Sequence, residues 1–169
     1  MSDLQSQVIL SRHQAIERVQ QWKSQGLRVV MTNGCFDLLH PGHLRSLEFS
    51  RRQGDKLVVA VNDDESVRRL KGPKRPILPV GIRSEMLAGV RWVDVVVPFP
   101  EDSAEEIVKL VMPDIYLKSG DYQVSSTPEG RWVLNLGGDV AAAPYFEEFS
   151  SSLMIESILS RYCEDGGKS

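Results

Sequence analysis

The chain has 169 residues, 41% apolar and 25% charged, with a formal net charge of −3. That length supports one domain with a hydrophobic core, and the mild acidity argues against a general nucleic-acid binder, whose footprint is basic. Apolar runs such as "LVVAV" and "VDVVV" fall far short of the ~20 residues a membrane span needs, and the start "MSDLQSQ" lacks the basic and apolar regions of a secretory signal. Cys35 and Cys163 have neither disulfide-framework nor metal-ligand spacing and read as reduced thiols. The expectation is a cytoplasmic globular domain with no membrane segment.

Ser11 is placed to cap a helix running to about Gln25, with Ala15, Ile16, Val19 and Trp22 on one face and Gly26 as its stop. "RVVMT", Arg28 to Thr32, reads as a buried strand. "PGHLRSLEFSRRQG" follows as a helix, with Pro41 in its first turn, Leu44 and Leu47 as its apolar side, and Gly54 at its end. "KLVVAVN", Lys56 to Asn62, is a second buried strand. A short helix from about Asp64 to Leu70 then leads into the basic loop "KGPKRPILP".

A helix over Ile82 to Val90 precedes the strand "VDVVVP". "SAEEIVKLV" is amphipathic, with Ser103 as its cap and Glu105 and Glu106 in its first turn. The strand "DIYLK" and the polar loop "SGDYQVSSTPEG" follow. A helix near Glu129 to Leu136, the strand "DVAAAPY", a helix from about Ser151 to Tyr162 and a frayed "EDGGKS" complete the pattern. Strands alternate with helices and are continuously apolar, which predicts an α/β fold built on a doubly wound parallel sheet covered on both faces. Nothing in the composition divides the chain. We read a single domain over 1–169, with an N-terminal helix over 1–27, a core over 28–162 and a tail over 163–169.

The stretch "TNGCFDLLHPGHLRSLE" holds His40 and His43 between a strand end and a helix start. Ligands of doubly wound sheets bind at the carboxyl ends of the strands, and a helix N-terminus offers free N–H groups and partial positive charge to phosphate. Gly34 and Gly42 let backbone approach a ligand closely. Two imidazoles there can donate hydrogen bonds where charge builds up on a phosphorus under attack. Two other assignments stay open at this point: metal ligands, although no nearby Cys or Glu cluster completes a set, and satisfied core histidines.

The stretch resembles the signature of the HxGH nucleotidyltransferases, the cytidylyltransferase-like superfamily. The run "TNGCFDLLHPGHLRSLEFSRRQGDKLVVAVNDDESVRRLKGPKRPILP" is similar to the adenylyltransferase domain of ADP-heptose synthases. "VRWVDVVVPFPEDSAEEIVKLVMPDIYLKSGDY" and "FSSSLMI" extend the likeness over about Val29 to Ile158. The resemblance implies a Rossmann-like nucleotidyltransferase fold. It also implies transfer of AMP from ATP to a sugar 1-phosphate, D-glycero-β-D-manno-heptose 1-phosphate, with release of pyrophosphate. Alternatives are an adenylyl- or cytidylyltransferase for another phosphorylated acceptor such as glycerol 3-phosphate, or a nucleotide-binding protein without turnover. Partners are then ATP and a sugar phosphate, with Mg²⁺ carried by the nucleotide rather than by a protein metal site, and a dimer as the expected assembly. Related proteins are fused to a sugar kinase, so any kinase step is expected on another polypeptide.

On the same resemblance, His40, His43, Lys71 and Arg83 are the catalytic set. Thr32, Gly34, Cys35, Phe36 and Gly42 form the nucleotide cradle, joined by Lys118, Gly120 and Asp121 of "LKSGDY" and by Ser150, Ser151 and Ser152 at the last helix start. Asp37, Asn62, Asp64 and Tyr122 are assigned to the acceptor, with loop bracing an open alternative for Asp37 and helix capping for Asn62 and Asp64. "RRLKGPKR" places Arg68, Arg69, Lys71, Lys74 and Arg75 together, which reads as a cationic clamp or a solvated loop. The chain departs from the family pattern at Gly81, where an acid is usual, at Ser119, where glycine is common, and at Ser151 and Ser152, where threonines are common.

Overall fold

Five parallel strands in the order β3-β2-β1-β4-β5 form the sheet of the computed structural model, which describes residues 8–119, 123–144, 146 and 148–163. In chain order the elements are α1 (Arg12–Ser24), β1 (Val29–Gly34), α2 (Pro41–Arg51), β2 (Lys56–Asn62), α3 (Asp64–Lys71), α4 (Val80–Ala88), β3 (Val95–Phe99), α5 (Glu105–Val111), β4 (Ile115–Ser119), α6 (Pro128–Asn135), β5 (Asp139–Ala143) and α7 (Ser151–Cys163). A 3₁₀ turn, Val124–Ser126, precedes α6.

The doubly wound expectation holds, and its cause is visible in the strands. Val29 and Met31 of β1 join one apolar cluster with Val58, Ala60 and the helix residues Ala15, Val19, Ile107, Val108 and Val133. Val30 faces the other way and packs with Leu57, Val59, Val61, Leu47 and Leu87. Both pleat faces are therefore covered, and an alternating polar face would have no water to meet. Before α1, Leu10 donates its N–H to the Val96 carbonyl at 2.9 Å, so the outer edge of β3 is partly paired.

The chain winds outward through β2 and β3, then α5 returns it to the far side of β1. Thr32 consequently has Val59 on one side and Leu117 on the other. The reversal of strand order opens a crevice between β1 and β4 at their carboxyl ends.

Ser11 caps α1 as expected, with Gln14 answering in a reciprocal capping box. On α2 the buried side differs from the expected one. Leu44 is 38% exposed, while Gly42, Ser46, Leu47 and Ser50 face inward. Small residues let α2 approach the sheet closely. Gly54 serves the same approach, since a Cβ there would lie 2.7 Å from Val30 Cγ2 and 2.8 Å from the Arg28 carbonyl. Helix α5 starts after Ala104, and Ser103 Oγ accepts from the Glu105 N–H at 3.1 Å.

Candidate active site

Where β1 ends, Phe36 adopts a left-handed backbone (φ 46°), uncommon for a bulky residue. This turn buries the Phe36 ring against the core and leaves Gly34 and Cys35 lining a cavity of about 390 Å³. The chain then meets α2, with His40 as its N-cap: the imidazole Nδ1 accepts from the His43 N–H at 3.4 Å. The two rings stack at 3.7 Å with 24° between their planes. Phe36 packs against the other side of His43, 5.1 Å between ring centroids. At Gly42, a Cβ would sit 3.0 Å from His40 Nδ1, so glycine there keeps the pair close.

Burial lowers the His40 pKa. Burial first, then the neighbouring His40, push His43 down to about 3, with the Leu38 backbone pulling the other way. His43 Nδ1 is buried and makes no hydrogen bond of good geometry among the described residues. The unfolded chain then binds a proton that the fold excludes between about pH 6.5 and 3, so stability falls with pH across that window. The His43 ring should show no NMR titration between about pH 8 and 5 in the unliganded protein. Urea unfolding should show a smaller acid destabilisation in His43→Gln than in the native sequence.

Among the described residues, Lys71, Arg75 and Lys118 bring positive charge to the cavity wall. The "RRLKGPKR" clamp is thus only partly assembled. Arg68 pairs with Glu65 and Arg69 with Asp102, which ties both to surface carboxylates. Across the cavity, Ser150, Ser151 and Ser152 open α7. Ser150 Oγ accepts from the Leu153 N–H at 3.1 Å, and Ser151 Oγ donates to the Leu38 carbonyl at 3.1 Å. That second bond ties α7 to the loop that carries the histidines. Ser119 lines the cavity and hydrogen-bonds Ser46 of α2.

Several assignments change. Arg83 is fully buried and does not line the cavity. It donates to the carbonyls of Leu78, Cys35 and Asn62 at 2.8, 2.5 and 2.8 Å, and to Asp64 at 2.7 Å. It therefore joins three loops from beneath instead of meeting a reacting group. Asp64 is its partner and also accepts from the Val80 N–H at 2.8 Å, starting α4; it too stays out of the cavity. The cap of α3 is Asp63, which accepts from the Ser66 N–H at 2.8 Å.

Asp37 is 1% exposed, and its carboxylate is taken up by Arg75 and by the N–H groups of Ile77 and Leu78 at 2.7 and 3.0 Å. It braces the loop after α3, as the open alternative had it, and it also lines the cavity. Thr32 is interior to β1, buried and away from the cavity. Asn62 remains at the cavity, with its side-chain amide donating to the Glu101 carbonyl at 3.1 Å. Gly81 lies on α4 with open space where a Cβ would stand, and it does not line the cavity. Its departure from the family acid thus lies outside the cavity lining. Gly120, Asp121 and Tyr122 lie outside the described residues.

Sequence reasoning passed over Asn33, Ser46, Phe146 and Phe149, all of which line the cavity. Arg45 of α2 lies over Phe146 and Phe149, 4.9 and 5.4 Å from their ring centroids. No local spacing marks these phenylalanines as cavity residues rather than core residues.

The sequence pattern of the cytidylyltransferase-like family matches residues 31–155, a span that includes every residue lining the cavity. The chain belongs to the cytidylyltransferase-like family. The family resemblance read from the sequence stands with it. "Bifunctional protein HldE" of Shewanella piezotolerans is 43% identical over 152 residues, 90% of this chain and 32% of that protein. The protein of the same name from Chromohalobacter salexigens is 49% identical over 146 residues, 86% of this chain and 31% of its own length. The chain thus spans about a third of the length of these relatives. Among solved structures, the lipopolysaccharide core biosynthesis protein from Thermoplasma volcanium is similar at a TM-score of 0.59 and 30% identity, covering 72% of this chain and 98% of that one. The pantoate-β-alanine ligase from Francisella tularensis shares the fold alone, with a TM-score of 0.55, 9% identity, and 94% and 79% coverage.

Proposed function

We propose that this cytidylyltransferase-like chain transfers AMP from ATP to a sugar 1-phosphate, D-glycero-β-D-manno-heptose 1-phosphate, giving ADP-heptose and pyrophosphate in the cytoplasm. One observation carries the reading: two stacked imidazoles at a helix N-terminus share a cavity with Lys71, Arg75, Lys118 and three serines. An oxygen of the acceptor phosphate attacks the α-phosphorus, and the bond to the oxygen bridging the α- and β-phosphates breaks. The acceptor already carries negative charge, so no protein nucleophile or strong base is required. Alignment and charge neutralisation supply the acceleration. The HldE relatives and the lipopolysaccharide-core protein support a heptose acceptor over other phosphorylated ones.

Mg²⁺ enters with the triphosphate in this reading. Among the described residues, no group of three His, Cys, Asp or Glu is placed to hold an ion, and Mg²⁺ commonly arrives on substrate phosphates. No described helix is long and apolar enough to cross a membrane. A homodimer is the assembly we assign, to be read by light scattering.

The test is pyrophosphate release across paired nucleotides and acceptors. ATP with the heptose 1-phosphate should exceed CTP, and should exceed glycerol 3-phosphate with either nucleotide. Faster release with CTP and glycerol 3-phosphate would replace the heptose reading. ATP binding without release from any pair would leave a nucleotide-binding protein.

A further inference from the structure

Among the described residues, Asp37 and Glu129 are the buried carboxylates; Glu129 is 2% exposed, and the proposed reaction has so far given it no task. It sits in the first turn of α6, where the helix N-terminus favours an anion. That turn is fixed by contact. A Cβ on the next residue, Gly130, would lie 1.9 Å from the Val124 carbonyl oxygen. Thr127 Oγ1 caps the turn by accepting from the Gly130 N–H at 3.1 Å.

Glu129 does not line the cavity, but its partner does. Lys118 Nζ donates to Glu129 Oε1 at 2.9 Å, and Lys118 forms part of the cavity wall at the end of β4. The same carboxylate oxygen lies 3.3 Å from the Tyr116 hydroxyl, which donates to Asn33 Oδ1 at 2.6 Å. Asn33 also lines the cavity, at the end of β1. Burial and the nearby Glu129 raise the Tyr116 pKa, so the phenol stays a neutral donor. A single buried anion is therefore linked to cavity residues on both strands that flank the crevice. A buried carboxylate is costly unless paired, which ties the position of Glu129 to that of the Lys118 ammonium.

We propose that Glu129 is the positioning residue for Lys118, holding its ammonium at the cavity wall where the triphosphate enters. This rests on the nucleotidyl transfer proposed above. Glu129 forms no bond to substrate and moves no proton in this role. It fixes where a cation stands, and misplacement of about 1 Å at such a contact costs on the order of a hundredfold in rate.

The test is Glu129→Gln, which keeps the side-chain shape and removes the charge. At neutral pH, kcat/KM for ATP should fall about ten- to a hundredfold. In Glu129→Gln/Lys118→Met the loss should be no greater than in Lys118→Met alone. Losses that multiply in the double variant would overturn the proposal.

Glu129→Asp keeps the charge and serves if the amide variant does not fold. It should reduce kcat/KM with no further loss beyond Lys118→Met when the two are combined, and full native kcat/KM would count against the role. If the native protein releases no pyrophosphate with any acceptor, the proposed reaction fails separately. ATP affinity by calorimetry then decides for Glu129: weaker binding in Glu129→Gln supports it, and unchanged binding overturns it.

Discussion

His43→Ala should lower kcat by about 100- to 1,000-fold while ATP affinity changes only a few-fold. The ring is held between His40 at 3.7 Å and Phe36 at 5.1 Å, so its place is fixed before any nucleotide arrives. It is neutral at physiological pH, with burial pushing its pKa to about 3. A neutral donor adds little to ground-state attraction for a triphosphate. Its value appears as negative charge grows on the oxygens around the α-phosphorus. Single-turnover rates set beside calorimetric ATP affinities separate the two effects. Equal losses in both would mean the ring only binds.

Arg83→Met should destabilise the fold by about 3–5 kcal/mol, the usual cost of breaking a buried charged network by removing one partner. The guanidinium is fully buried and serves Leu78, Cys35, Asn62 and Asp64 together. Its loss leaves the Asp64 carboxylate without a counter-ion and three carbonyls short of a donor. The denaturant midpoint should drop with little change in slope. The folded fraction, assayed in the cold, should keep measurable turnover. A variant of native stability that is wholly inactive would return Arg83 to the reacting centre.

The contrast between His43 and Arg83 shows what the sequence could and could not convey. The sheet was legible because covered parallel strands leave continuous apolar runs, and "KLVVAVN" matches β2 from Lys56 to Asn62 residue for residue. The place of the histidines was legible because a strand end, a proline at a helix start and the family signature coincide. Arg83 and Asp37 were not legible in role. A motif residue that grips the loop beneath a site recurs in sequence as regularly as one that touches substrate. Burial marks both, with Arg83 0% and Asp37 1% exposed, and of the two Asp37 alone lines the cavity. Glu129 carried no local signal, since its partners Lys118 and Tyr116 lie across a turn and on another element.

His40 spends its Nδ1 lone pair on the backbone of the helix it caps. Burial favours the uncharged ring, which then carries its single hydrogen on Nε2. The contact favours that tautomer ahead of any substrate. The His43 N–H also donates to the His40 carbonyl at 2.9 Å, so the ring is a second acceptor on a donor that the first turn of α2 already satisfies, and the proton's address costs the helix nothing.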